Sequence, residues 1–162
     1  LSKSNAFETD VAALIFQGQG IPGLAGNAAS SPLTHLYLSL HTADPGEAGD
    51  QTTSEATYGG YARIAVSRSS AGFYLLTPAS TGSSFGCSVY ARPDLVWPTC
   101  TSGSETINWF GVGTAASGAG KLLYRCQLLS QGSISISPGL TPSLLGYDNP
   151  NHVAGSLLLA EA

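Results

Sequence analysis

The side chains that could do chemistry gather between residues 35 and 60. His35 and His41 bracket one stretch, and Asp44, Glu47, Asp50 and Glu55 follow it among prolines and glycines. Imidazoles beside carboxylates would suit a metal site or an acid–base pair. Spacing argues against the first. If the stretch is a strand, the two imidazoles stand roughly 20 Å apart at ~3.3 Å per residue, too far to share an ion. A calcium loop needs oxygen ligands at the Asp-x-Asp/Asn-x-Asp/Asn-Gly cadence, whereas Asp44, Glu47 and Asp50 step by three. A carboxylate pair for glycoside cleavage could be drawn from Asp44, Glu47, Asp50 or Asp94, but a chain with 10 acidic residues always permits such a pairing. The histidines read as solvent-side or interface residues, and the carboxylates as a solvated loop.

A glycine-rich stretch, GVGTAASGAGK at 111–121, resembles two nucleotide-binding patterns and fits neither. The P-loop needs glycine where Ala115 stands, and a Ser or Thr after the lysine where Leu122 stands. The dinucleotide fingerprint must open a helix in a βαβ unit. Here 114–120 starts a helix poorly and Lys121 to Leu128 reads as a strand, so a strand–turn–strand connection is expected. Cys87, Cys100 and Cys126 are spaced like neither a zinc ribbon nor a redox pair. Reduced, buried thiols are expected in a cytosolically made protein without a signal peptide, although a Cys87–Cys100 bridge stays open. No serine or cysteine sits in a nucleophile elbow. Neither a catalytic residue, a cofactor nor a metal is expected.

The composition fits one domain with a real core. Only 10% of the 162 residues are charged while 43% are hydrophobic, and 20 glycines with 9 prolines supply turns. A surface this poor in charge suits a protein covered by neighbours. The net charge is −4, and no basic residue lies between Lys3 and Arg63. Phosphate neutralisation requires clustered Lys and Arg, so direct nucleic-acid binding is not expected. The apolar runs are too short to span a bilayer.

The elements that must position these residues follow from periodicity. Residues 5–17 read as the one helix, capped by Asn5 with Glu8 in the capping-box relation, and with Phe7, Val11, Leu14 and Ile15 on one face. Gly18, Gly20 and Pro22 stop it. A loop crosses 18–34. Residues 35–41 alternate as a strand, with Leu36, Leu38 and Leu40 on one side. The loop 42–60 leads to a second strand, Tyr61 to Arg68, with Ala62, Ile64 and Val66 inward. Further strands are read at Phe73–Leu76, Ser88–Tyr90, Thr106–Val112, Lys121–Leu128 and Gly132–Ser137. Val153–Leu159 is left as a strand or a short helix. Lys121–Leu128 is apolar on both faces, as a central strand or one buried by a partner would be.

Several of these stretches resemble a family. LYLSLHTADPGEAGDQTTSEATYGGYARIAVSR, with SNAFETDVAALIF before it and WFGVGTAASGAGKLLY after it, is similar to small tailed-bacteriophage virion proteins, called head decoration (cement) or tail-fibre proteins. The resemblance covers residues 1–70 and 109–124. Residues 71–108 depart from it, and a lengthened insertion is read at about 71–105. The resemblance implies a virion component made in the host cytoplasm. Its first reading is a head decoration protein on the outer capsid surface, binding the major capsid protein as a homotrimer. A tail fibre, collar or baseplate component is the alternative. A carbohydrate-binding module, with Trp97, Trp109 and Tyr90 as stacking aromatics, is a third, although both tryptophans read first as core.

The expected fold is all-β, a β-sandwich of jelly-roll type led by one short N-terminal α-helix, in a single domain of residues 1–162. The residues expected to touch a partner are Asp44, Glu47, Asp50 and Glu55 of the loop, with Phe7 and Val11 of the helix.

Overall fold

The structure, a computed structural model, describes residues 4–21, 24–26, 32–76, 88–128, 132–150 and 157–160. It is mostly β with a single N-terminal helix, in agreement with the sequence pattern. Helix α1 spans Asn5–Ala12 and runs into a π-helical turn, Ala13–Gln17. The strands are β1 (His35–His41), β2 (Ile64–Ser67), β3 (Phe73–Leu76), β4 (Ser88–Ala91), β5 (Leu95–Val96), β6 (Glu105–Ile107), β7 (Trp109–Gly113), β8 (Leu122–Gln127), β9 (Ile134–Ile136), β10 (Ser143–Leu144) and β11 (Leu157–Ala160). Two compact units form. One draws on 1–34, 67–93 and 145–162, the other on 35–66 and 94–144.

In the second unit β2, β1, β7 and β8 make a four-stranded sheet in that order. Antiparallel register places Leu38 opposite Val112 and Leu40 opposite Phe110, so one face of the sheet is a continuous apolar surface. Leu36, Leu38, Leu40, Phe110 and Val112 are all buried there. Burying each such side chain stabilises the fold by roughly 1.5–3 kcal/mol, so register is strongly specified on this side. Tyr58, Trp97, Ile107, Ile136 and Leu144 of the same unit are also buried. Trp97 is therefore core, as its Pro-flanked context implies.

The stretch expected as one strand, Thr106 to Val112, is two strands with Asn108 between them. Asn108 leaves the ladder to serve chain ends: its N–H donates to His41 O, its side-chain amide to Thr42 O, and its carbonyl accepts from Leu128 N–H. Before the break β6 pairs with β9; after it β7 pairs with β1 and β8. Lys121–Leu128 becomes β8, a strand at the end of the sheet rather than its centre. The ribbon of β5 and β10, with two residues from each strand, had no periodic signal to announce it.

In the first unit the cap of α1 is Ser4, whose hydroxyl accepts from Phe7 N–H at 3.4 Å, not Asn5. The buried helix positions also differ from the expected stripe. Glu8, Ala12 and Phe16, spaced i, i+4, i+8, are buried, while Phe7 is 38% exposed and Val11 half-buried. The aromatic payload decides it: Phe16 meets Phe73 edge-on at 5.1 Å, and Gln17 donates to Phe73 O at 3.1 Å. The turn ends at Gly18 in the left-handed region (φ 70°). Arg68 caps its carbonyl end, donating to Leu14 O and Ile15 O, and it also donates to Leu33 O just before β1.

The sheet of this unit orders β11, β4 and β3, so residues 157–160 are strand, while the rest of the stretch left as strand or helix, 153–156, lies outside the described residues. Tyr74 lies opposite Tyr90 across β3 and β4. Tyr147 stacks on Tyr74 at 4.2 Å, and the Arg92 guanidinium sits 5.1 Å from the Tyr74 ring while pairing with Asp148. These contacts clasp the 145–148 turn to the sheet.

Candidate functional site

The sheet face opposite the apolar one determines where the loop 42–60 goes. Register sets Ser39 against Gly111, Tyr37 against Gly113 and His41 against Trp109. Two glycines on β7 leave a hollow above the sheet, and the loop fills it. Gln51, fully buried, donates to Tyr37 O at 3.3 Å and accepts from Ala115 N–H at 2.9 Å, while its own N–H donates to Gly120 O. A Cβ on Gly113 or Gly120 would overlap the Gln51 side chain. The socket thus requires glycine at both positions.

His41 is also fully buried beneath this loop, which corrects its reading as a solvent-side or interface histidine. Nδ1 lies 2.9 Å from Thr53 O and Nε2 2.8 Å from Ser39 Oγ. The carbonyl can only accept, so Nδ1 carries the proton and Nε2 accepts from the serine hydroxyl. Burial pushes the imidazole's pKa down and Arg63 adds to this, partly opposed by the Thr53 carbonyl and by Glu55. A neutral native His41 gives a sign. Stability is full above its ordinary value of 6.5 and is lost as pH falls from there toward the depressed folded value. The urea midpoint is expected to drop between about pH 7.5 and 5.5, and His41→Gln to be less stable but flat over that window. An unchanged slope in the variant would place the titration on another histidine.

The carboxylates expected to reach outward are held by their own chain. Glu55 forms a two-toothed pair with Arg63 at 2.6 and 2.7 Å, and the Arg63 side chain is only 2% exposed. Arg63 also donates to Ala115 O and Gly118 O. Tyr61 donates to Glu55 at 3.0 Å and accepts from Leu40 N–H, and burial raises its pKa far above the usual phenol range. Asp50 accepts from Thr52 N–H and hydroxyl at 2.8 and 2.6 Å, and these bonds hold its carboxyl below the usual range. Asp44 caps Gly46 N–H and pairs with Arg125 of β8 at 2.7 and 2.9 Å. Glu47 joins the same guanidinium yet is 93% exposed. The Arg125 guanidinium also lies 5.6 Å from the Trp109 ring centroid.

The loop is therefore a lid folded on its own sheet, with Asp44 and Glu47 as the acidic residues on its outer rim. Phe7 and Val11 belong to the other unit. Sequence reasoning missed Gln51, Arg63 and Arg125, the residues that organise the loop. Pairing four carboxylates with the nearest basic residues downstream would have flagged Arg63; Arg125 is brought in only by sheet topology.

Among the described residues, no three His, Cys, Asp or Glu side chains gather as a metal site, and no helix is long and apolar enough to cross a membrane. Cys100 is a buried free thiol donating toward Ser102 O and Gly103 O; Cys126 is free and half-buried. Cys87 lies outside the described residues. What the arrangement offers is a rigid, mixed-charge rim beside a sheet edge. Against known proteins, the family model described as Podophage GP4 fiber I protein gp80 matches residues 17–140, a range that includes the divergent 71–108. No curated protein matches.

Proposed function

The chain belongs to the podophage GP4 fiber I protein gp80 family, a family of tailed-phage structural proteins, and on that premise we propose that it is a structural component of the fibre apparatus. The match over 17–140 carries this reading, because the matched family is a fibre family. The work proposed is mechanical: to join neighbouring virion proteins, with no catalytic step. A chain with only 10% charged residues supports close packing among copies, and a closed homo-oligomer, a trimer by the resemblance, would cover its low-charge surface. Head decoration, with the major capsid protein as partner, is the second reading, since the resemblance of residues 1–70 and 109–124 is to proteins called head decoration as well as tail-fibre proteins.

Copy number separates the two. A decoration protein tiles the shell in hundreds of copies, whereas a fibre component follows the low symmetry of the tail. Quantitative mass spectrometry of purified particles is expected to give well under roughly one copy per ten major capsid subunits. A ratio near one to one would overturn the fibre assignment in favour of the shell.

A further inference from the structure

β8 ends the four-stranded sheet, and no described strand pairs with its outer edge. Such an edge displays backbone groups that another strand can take up, and folded proteins commonly blunt or cover it. Among the described residues this one is flanked instead. Leu122, Leu123, Tyr124 and Arg125 form one wall of an open groove of about 340 Å³, and Gly46, Glu47 and Gly49 of the loop form the other. Arg125 holds the two walls together through Asp44 and Glu47.

The charges say what would fit. At the groove two carboxylates, Asp44 and Glu47, face one guanidinium, Arg125, so negative charge is in excess. Glu47 is almost fully exposed and keeps room for a second cation. Lys121 precedes β8 and is not among the residues lining the groove. A second copy of this chain would bring the same carboxylate excess, and a net charge of −4, to the same place. A cationic strand would bring the complement.

We propose that the outer edge of β8, beneath the Gly46–Gly49 wall, takes up an extended, lysine- or arginine-bearing segment of another protein by strand addition. Main-chain bonds to β8 supply affinity without sequence preference, and every second side chain of the incoming strand faces the loop wall, where Glu47 selects a cation. The inference concerns the isolated chain and holds whether the protein sits on fibre or shell, so its failure leaves the fibre assignment standing.

The test titrates the full chain with three octapeptides: one alternating threonine, valine and lysine, one with glutamate replacing each lysine, and one with proline replacing alternate residues. Amide NMR and hydrogen exchange locate binding. The lysine peptide is expected to protect the outward amides of Leu123 and Arg125, and the proline peptide to bind nowhere. Glu47→Gln is expected to weaken the lysine peptide by roughly three- to tenfold, and Glu47→Lys to favour the glutamate peptide. As Glu47 is exposed, both variants should keep the wild-type unfolding midpoint. Equal binding of lysine and glutamate peptides, protection away from β8, or no binding overturns the proposal. So does protection of the Leu123 and Arg125 amides in the peptide-free chain that is lost on dilution, which would place a second copy at the edge.

Discussion

Arg63→Ala is expected to destabilise the second unit by about 3–5 kcal/mol, because it strands a partly buried carboxylate. Arg63 satisfies both oxygens of Glu55 and two loop carbonyls, Ala115 O and Gly118 O. Removing it leaves Glu55 the Tyr61 hydroxyl as its side-chain hydrogen-bond partner among the described residues. Arg63→Lys should recover only part of the loss, since a single ammonium cannot make the fork and reach both carbonyls. Urea denaturation at neutral pH checks both variants. A loss below about 1 kcal/mol for Arg63→Ala would mean the pair behaves as a solvent-screened surface contact.

The second large effect lies at the Gln51 socket. Gly113→Ala is expected to cost about 1–3 kcal/mol, since the new methyl overlaps Gln51 in a packed site. Gln51→Ala should also cost about 1–3 kcal/mol, by leaving Tyr37 O and Ala115 N–H without their side-chain partner. The double variant should lose less than the sum by at least roughly 1 kcal/mol, because removing the amide removes the collision. Additive losses in a denaturation cycle would show that Gly113 is required for some other reason.

Much of the fold was legible where burial obeys a period. The Leu36, Leu38, Leu40 alternation marked β1 to the residue, because a one-residue slip would turn three leucines to the wrong face. Phe73–Leu76 was read with the same bounds. Legibility failed where side chains act through tertiary partners. The stripe Phe7, Val11, Leu14, Ile15 looks like a core face, yet Phe16 wins because Phe73 is there to receive it. The two-residue strands β5 and β10 are too short to show any alternation. At the loop, composition marks the carboxylates but not the Arg63 and Arg125 that hold Glu55, Asp44 and Glu47. Two glycines on β7, 50 and more residues downstream, create the hollow that draws the loop inward, and no local pattern in 42–60 records them.

Asn108 has a consequence for how force would pass through the second unit. It is the one residue joining β6, which is laced to β9, with β7, which is laced to β1 and β8. Along the chain β6 passes to the four-stranded sheet through Asn108, and Glu105 of β6 also accepts from Thr57 N–H and Tyr58 N–H of the loop. The three bonds of Asn108, to His41 O, Thr42 O and Leu128 N–H, tie that link to the ends of β1 and β8. A pull arriving there spreads sideways over three neighbouring strands before any one pair must open.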